Sequence, residues 1–387
     1  MSISSPSPLP DHLRAAQGNA STFRALTWNL KIPVQISLAV GPTVPGGQGM
    51  KGDKADGQGY SSDIGARGGV AAGMDKYYMQ CPRYTYLPII LPELRDNFVN
   101  SVLAPDELES LASPIEDWWF EVDTSHDGED AHGNGEMCKW YWPLDLIHLL
   151  CLINQPRSNS SPTHSQTLRL ILHLHPHPNS TDPTKPKVSN SLEACRIRYT
   201  SLIKEADYAR WGNTRRVTSL RRLDLESGWN SIVEGDYDAQ AQFANKTLPL
   251  PFGLHTNSDA GSIASNTHSQ SGGGGGAGGA SIATASNAPD SAYAARAIPF
   301  KIYLPYNGPV IQDVIPPLNT EGKANTVKDL LYRILPGLFP TTSNDLYSLA
   351  VPYLHGVELP SDAELAWLAC CSPGADGWLR IGIRLCE

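Results

Sequence analysis

Residues 253–294 include the run SQSGGGGGAGGAS, and a stretch of that composition cannot bury enough apolar surface to pack. It divides the chain, because any folded body must lie before it or after it. The five-glycine run lacks the GK[ST] ending of a phosphate-binding loop, so the stretch reads as a flexible Gly/Ser-rich linker. A second Gly-rich, polar stretch over 41–73 reads as an insertion. Residues 1–25 read as a disordered N-terminal segment with room for a short helix.

After the linker, 296–387 gives the clearest pattern. In AIPFKIYLP, Ile298, Phe300, Ile302 and Leu304 alternate onto one face, the mark of a half-buried strand. GPVIQDVIPPL follows as the second strand of a hairpin. In NTVKDLLYRILPG, the residues Val327, Leu330, Leu331, Ile334 and Leu335 form a helical stripe, capped by Asn325 or Thr326 and stopped at Pro336-Gly337. A strand at LHGVEL, a helix at DAELAWLACC and an alternating strand at WLRIGIRL complete the segment. This β-β-α-β-α-β order is the layout of a ubiquitin-like grasp fold.

Residues 26–180, interrupted by the 41–73 insertion, echo that order. TWNLKIPVQISLA and YYMQCPRYTYLPIIL read as strands and PELRDNFVNSVL as a helix. DWWFEVD and CKWYW read as strands around an acidic loop, PLDLIHLLCLI as a second helix, and TLRLILHLHP as a last strand. Residues 190–248 carry helical patterning only, with one long helix over SNSLEACRIRYTSLIKEADYARWG and a second over TRRVTSLRRLDLES. The expected fold is therefore α+β: two ubiquitin-like β-grasp domains flanking a helix-rich domain.

A formal charge of −9 argues against nucleic-acid binding as the main task. The seven cysteines show no CxxC spacing and read as reduced, buried thiols. The N-terminus has no apolar run of a secretory signal, and LDLIHLLCLI is too short and too polar to span a bilayer. These features point to a cytoplasmic protein.

Three local signals could carry chemistry. Residues 123–136 place Asp123, Ser125, Asp127 and Gly128 like the start of a calcium loop. Position twelve is Asn134 and the flanks read as strands, so an acidic hairpin loop is the reading. His173, His175 and His177 share one strand face and could bind metal, but no carboxylate or cysteine at ligand spacing joins them; the expectation is no metal and no cofactor. Arg210, Arg215, Arg216, Arg221 and Arg222 are clustered, with Val217, Leu220 and Leu223 facing the other way. Their bland reading is a solvated helix face, and their functional one is contact with an anionic membrane or an acidic partner by Arg215, Arg216, Arg221 and Arg222. No nucleophile–base motif appears.

The long helix contains LIKEADYARWG. At about 100° per residue, Leu192, Cys195, Tyr199, Leu202, Ala206 and Ala209 share a buried arc. Lys204 falls roughly opposite, on a second stripe with Ile197, Ser201 and Tyr208. Geometry alone makes it an exposed lysine flanked by two apolar residues.

The ordered set KYYMQCPRYTYLPII, DWWFEVD, CKWYWPLDLIHLL, LIKEADYAR, GWNSIVEGDYDAQAQFANKTL, IPFKIYLP, LHGVELP and WLRIGIRL resembles the autophagy protein five family. The resemblance covers roughly 27–39, 76–153, 191–248 and 296–385. It departs from the family in the two Gly-rich insertions and in Leu30 of WNLKIP, where glycine is more usual. It implies two ubiquitin-like domains around a helical one, with Lys204 of KEAD as acceptor of an isopeptide bond to the C-terminal glycine of the modifier autophagy protein twelve.

The resemblance further implies a conjugate that acts like an E3. It would stimulate the E2-like enzyme that moves autophagy protein eight onto phosphatidylethanolamine, as a non-catalytic scaffold on the preautophagosomal or isolation membrane. Autophagy protein sixteen would bind through its helical N-terminus, in a groove for which Trp28, Ile32 and Tyr84 are candidates; burial in the first domain's core competes for each. Ile197 and Tyr208 are candidate contacts for the modifier. An attacking amine must be neutral, and a free lysine near neutral pH is almost wholly protonated. Glu205 and Asp207 favour the charged form, so activation would come from the docked conjugating enzyme. Two other readings stay open: an adaptor that is never conjugated, and a metal-dependent hydrolase using His173, His175 and His177.

Overall fold

The computed structural model describes residues 11–39, 76–105, 108–109, 113–124, 133–155, 167–177, 191–250, 291–342 and 345–386. The Gly-rich insertion over 41–73, nearly all of the 253–294 linker, and Ser125, Asp127 and Gly128 of the acidic loop lie outside the described residues. Two compact units are present: 31–151 with 160–197, and 1–30 with 152–159 and 198–387.

The first described element is helix α1 (Asp11–Asn29), longer than the short helix that the sequence allows within a disordered segment over 1–25. Tertiary contacts explain the helix better than propensity does. Arg24 donates from Nε to Cys370 O at 2.7 Å and from Nη2 to Pro249 O at 3.2 Å, and Ala20 is buried in the core of the C-terminal sheet. Helix α1 continues through Trp28, so the first strand begins four residues later than TWNLK suggests.

In the unit built on 31–151, the strands are β1 (Lys31–Leu38), β2 (Lys76–Pro82), β3 (Trp119–Asp123), β4 (Gly133–Met137) and β5 (Leu168–His173). They form one sheet in the order β2-β1-β5-β3-β4. The central pair β1·β5 is parallel, with Val34 opposite Leu168 and Ile36 opposite Leu170, and every other pairing is antiparallel. Ile32, Val34, Ile36, Phe120, Leu168, Leu170 and Leu172 alternate onto the core face.

Helix α2 (Leu87–Leu94) covers that face and runs on through a π-helical stretch, Arg95–Val99. The sequence reading carried YTYLPIIL on as strand and started the helix at Pro92. Pro88 sits in the helix's first turn, where its missing N–H costs nothing, and an apolar run of this length suits either element. CKWYW is a turn rather than a strand, with Trp142 N donating to Lys139 O at 2.9 Å. Helix α3 (Leu144–Asn154) follows. A buried Arg83–Asp145 ion pair, with Asp145 N donating to Arg83 O at 2.9 Å, ties its first turn to the end of β2.

Helix α4 (Leu192–Trp211) carries the KEAD run. The expected second helix of this region is broken in two: α5 (Arg215–Thr218) stops at Ser219, and α6 (Arg222–Glu234) begins after an extended Arg221. Gly235 ends α6 in the left-handed region at φ +70, and Asp236 caps α7 (Tyr237–Thr247) through bonds from the Asp238 and Ala239 amides. Helices α6 and α7 approach closely at Gly228, where an added Cβ would lie 2.8 Å from the Phe243 ring. Gly228→Ala is accordingly expected to cost about 1–3 kcal/mol in denaturant unfolding, the range for overpacking a filled contact.

The second sheet contains β6 (Ile298–Tyr303), β7 (Ile311–Ile315), β8 (Ala350–Leu354), β9 (Val357–Glu358) and β10 (Leu379–Leu385). Its order, β7-β6-β10-β8-β9, again puts a parallel pair at the centre, with Ile381 opposite Ile302. Helix α8 (Val327–Ile334) packs Val327, Leu330 and Leu331 on the sheet and begins with a capping box between Thr326 and Asp329. Helix α9 (Leu365–Cys371) follows β9. Ala292 N donates to Leu250 O at 2.8 Å, so the chain on either side of the linker meets at one point. The architecture is α+β, two sheets with a helical region, each sheet having the grasp topology read from its residues.

Candidate functional site

Helix α4 is bounded by chemistry that the sequence makes plain. Ser191 Oγ accepts from Ala194 N at 3.1 Å, the N-cap bond, and Gly212 at φ +75 takes the turn that ends the helix. Cys195, Tyr199, Leu202 and Ala206 are buried, as the periodicity predicts. Leu192 departs from that arc at 43 % exposure, and Ile203, Asp207 and Arg210 are buried beside it, so the helix is covered over a wider face than one stripe.

On the remaining face stand Lys204, exposed, with Ile197 at 58 % and Tyr208 at 60 % exposure. Glu205 leans to Arg198, 3.6 Å away. Asp207 points inward and accepts from Val217 N at 3.4 Å, fixing the corner between α4 and α5. Neither acidic neighbour of Lys204 therefore spends its charge on it, and among the described residues Lys204 makes no hydrogen bond or ion pair.

The covered face is held by the loop before β10. Tyr199 Oη donates to Ala375 O at 3.4 Å, Trp378 Nε1 to Leu202 O at 3.2 Å, and Arg210 Nη2 to Gly377 O at 2.8 Å. Burial lowers Arg210 to about 10, and burial likewise lowers Lys301, whose ammonium lies 4.4 Å from the Trp378 ring centroid.

Burial raises the Asp207 carboxyl against the pull of the Val217 amide, Arg210 and Arg216. The folded state then holds that proton to higher pH than the unfolded chain does, so this group's contribution to stability falls as pH rises above about 3.9. Asp207→Asn, which keeps an acceptor for Val217 N, is expected to remove that slope from a stability-versus-pH series.

The arginine cluster divides. Arg210 is buried in the joint just described and belongs to no solvated face. Arg216 lies over the Trp211 ring at 4.1 Å. Arg215 and Arg221 are exposed, and Arg222 pairs with Glu226 at 2.6 Å. Leu223, expected on the buried side, is 74 % exposed, because the break at Ser219 resets the helical phase.

Trp28 is not in the core of the first sheet; its Nε1 donates to Gly235 O at 3.4 Å and its ring tilts against Tyr237. Ile32 is interior to the first sheet's core, and Tyr84 is buried in the turn after β2. Neither offers an open groove wall. Among the described side chains, Phe23 and Leu26 of α1 and Leu30 just after it are large, apolar and exposed, a spacing that a short helix within 1–25 does not bring out.

His173 stacks on Trp119 with ring centroids 3.8 Å apart and lies 3.2 Å from Glu121, and His177 meets Trp119 edge-on. Burial lowers His173. Among the described residues, no group of three or more His, Cys, Asp or Glu side chains could hold a metal ion; His173 and His177 pack on Trp119. No helix of the described residues is long and apolar enough to cross a membrane.

Residues 192–250 match the family model described as the alpha-helical bundle region of autophagy protein ATG5, and 297–383 match that of its UblB domain. The chain belongs to the autophagy protein 5 family. Among curated members, autophagy protein 5 of Aspergillus clavatus is 25% identical over 95% of this chain and 98% of its own length. That of Penicillium rubens is 27% identical over 80% of this chain and 88% of its own. The crystal structure of Kluyveromyces marxianus Atg5 superposes with a TM-score of 0.57 at 16% identity, covering 94% of this chain and 99% of that one, a likeness of fold. Membership in the family places the chain in autophagy, and Lys204 falls inside the matched helical-bundle region.

Proposed function

We propose that this chain is a non-catalytic scaffold that receives the ubiquitin-like modifier autophagy protein 12 on Lys204. The observation that carries the reading is the lysine's setting: an exposed amine on a helix buried along its other faces, with both acidic neighbours turned to other partners. In the reaction, the Lys204 amine attacks the thioester carbonyl between modifier and conjugating enzyme. A C–N bond forms, the C–S bond breaks, and the thiolate leaves with the enzyme. The chain supplies position, and the docked enzyme supplies desolvation and the proton acceptor. Ile197 and Tyr208 flank the amine on the same helix and are the proposed contacts for the attached modifier.

The conjugate acts like an E3, stimulating the E2-like enzyme that transfers autophagy protein 8 to phosphatidylethanolamine on the forming autophagosomal membrane. Phe23, Leu26 and Leu30, at helix spacing and exposed, suit the apolar side of the helical N-terminus of autophagy protein 16. Phe23 meets Trp367 edge-on at 4.8 Å, which extends that apolar face. Arg215, Arg221 and Arg222 around the exposed Leu223 suit peripheral contact with an anionic bilayer, with Arg216 behind them on Trp211.

The test is reconstitution with the activating enzyme, the conjugating enzyme, the modifier and ATP, followed by tryptic mapping. The reading expects the modifier's C-terminal remnant on Lys204. A remnant on Lys246 or another lysine would overturn it.

A further inference from the structure

The loop Pro373–Trp378 meets α4 at Tyr199, Leu202, Ala206 and Arg210, four residues at spacings of three, four and four. Tyr199, Leu202 and Arg210 are joined to it by the hydrogen bonds already given, and a Cβ at Gly377 would sit 3.4 Å from Ala206 Cβ. That spacing is one continuous line along the helix, and Lys204, two residues from both Leu202 and Ala206, projects from the other side. We propose that this loop is the positioning device for the acceptor amine, with Trp378 and Arg210 as its positioning residues. The inference rests on the reading of Lys204 as the acceptor.

The loop is itself stiff. Gly374 N donates to Trp378 O at 2.9 Å, Gly377 N to Gly374 O at 2.8 Å, and Trp378 N to Asp376 Oδ1 at 3.3 Å. Asp376 forms a buried ion pair with Arg380 of β10. A Cβ at Gly374 would fall 2.2 Å from the Arg380 guanidinium, and Gly377 stands at φ +83, so side chains at both positions are resisted. The Lys301 ammonium lies over the Trp378 ring. A helix backed by such a loop keeps its outward face in place when a large enzyme docks on it. Transfer to an amine is steeply sensitive to placement, with a displacement of about 1 Å costing up to ~100-fold.

The test uses the full chain in single-turnover transfer from the thioester-charged conjugating enzyme. Trp378→Phe keeps an aromatic ring beneath Lys301 and removes the donor to Leu202 O. The maximal rate is expected to fall by about 3- to 30-fold. The enzyme concentration at half-maximal rate and the discharge of the charged enzyme to free lysine should stay unchanged. Arg210→Lys, which keeps the charge and loses the reach to Gly377 O, should show the same split. A wild-type maximal rate, or a change confined to the half-maximal concentration, would overturn the proposal. If Trp378→Phe does not fold, Tyr199→Phe reads the same split, because it keeps the ring and removes the hydroxyl that bonds Ala375 O and Gly228 O. Lys204→Arg in the same assay separates the two claims: conjugation that persists with it defeats the acceptor reading, whereas a block there with wild-type Trp378→Phe kinetics defeats only the loop's role.

Discussion

Trp378→Ala is expected to destabilise the C-terminal unit by about 3–5 kcal/mol, the range for truncating a buried tryptophan. The indole is 2 % exposed and packs with Leu202 and Ala206 of α4 in a small cluster of its own. Its loss leaves a cavity between α4 and the loop before β10, and takes the hydrogen bond to Leu202 O with it. It also strips Lys301 of its aromatic face. Lys301 is buried and its charged form is already disfavoured there, so removing the ring adds to the cost of keeping the ammonium charged. Equilibrium denaturation checks the value. A loss below about 1 kcal/mol would mean that the cluster relaxes around the gap and that the joint is weaker than its burial suggests.

The two sheets were legible in the sequence to different degrees, for physical reasons. In the C-terminal half, strict alternation in AIPFKIYLP and WLRIGIRL and the one-sided stripe of α8 each point to a single element, and the structure follows them. The hairpin Ala350–Leu354 and Val357–Glu358 was compressed into a single strand, because its turn uses His355 at φ +52 rather than a doubled glycine signal. In the N-terminal half, YTYLPIIL carries no period at all, and only the placement of Pro88 in a first turn separates helix from strand.

Helix α1 is legible in the sequence only as room for a short helix, for a related reason. Its sequence is weakly amphipathic and contains Gly18, and its stability comes from long-range partners such as Cys370 O and Pro249 O that no local pattern reveals. The strand expected at TWNLK also hid two facts: Trp28 belongs to a helix, and Phe23, Leu26 and Leu30 form an exposed apolar stripe. The exposed side of α4 was legible from helical phase. Its buried side was not fully so, because Asp207 and Arg210 are polar residues that burial accepts only through specific partners, Val217 N and Gly377 O.

The second large effect concerns Lys204 itself. Lys204→Arg keeps a cation on the exposed face of α4 and touches none of the bonds that hold the helix, so folding should be unchanged. A guanidinium stays protonated at working pH and cannot act as the nucleophile. Any conjugation carried by this residue must therefore vanish rather than weaken. The decisive measurement is a denaturing gel of the reconstituted reaction, wild type beside Lys204→Arg, with activating enzyme, conjugating enzyme, modifier and ATP. The account predicts a shifted, thioester-resistant band with wild type and none with the arginine variant. An equal band in both lanes would place the acceptor elsewhere on the chain and contradict the account.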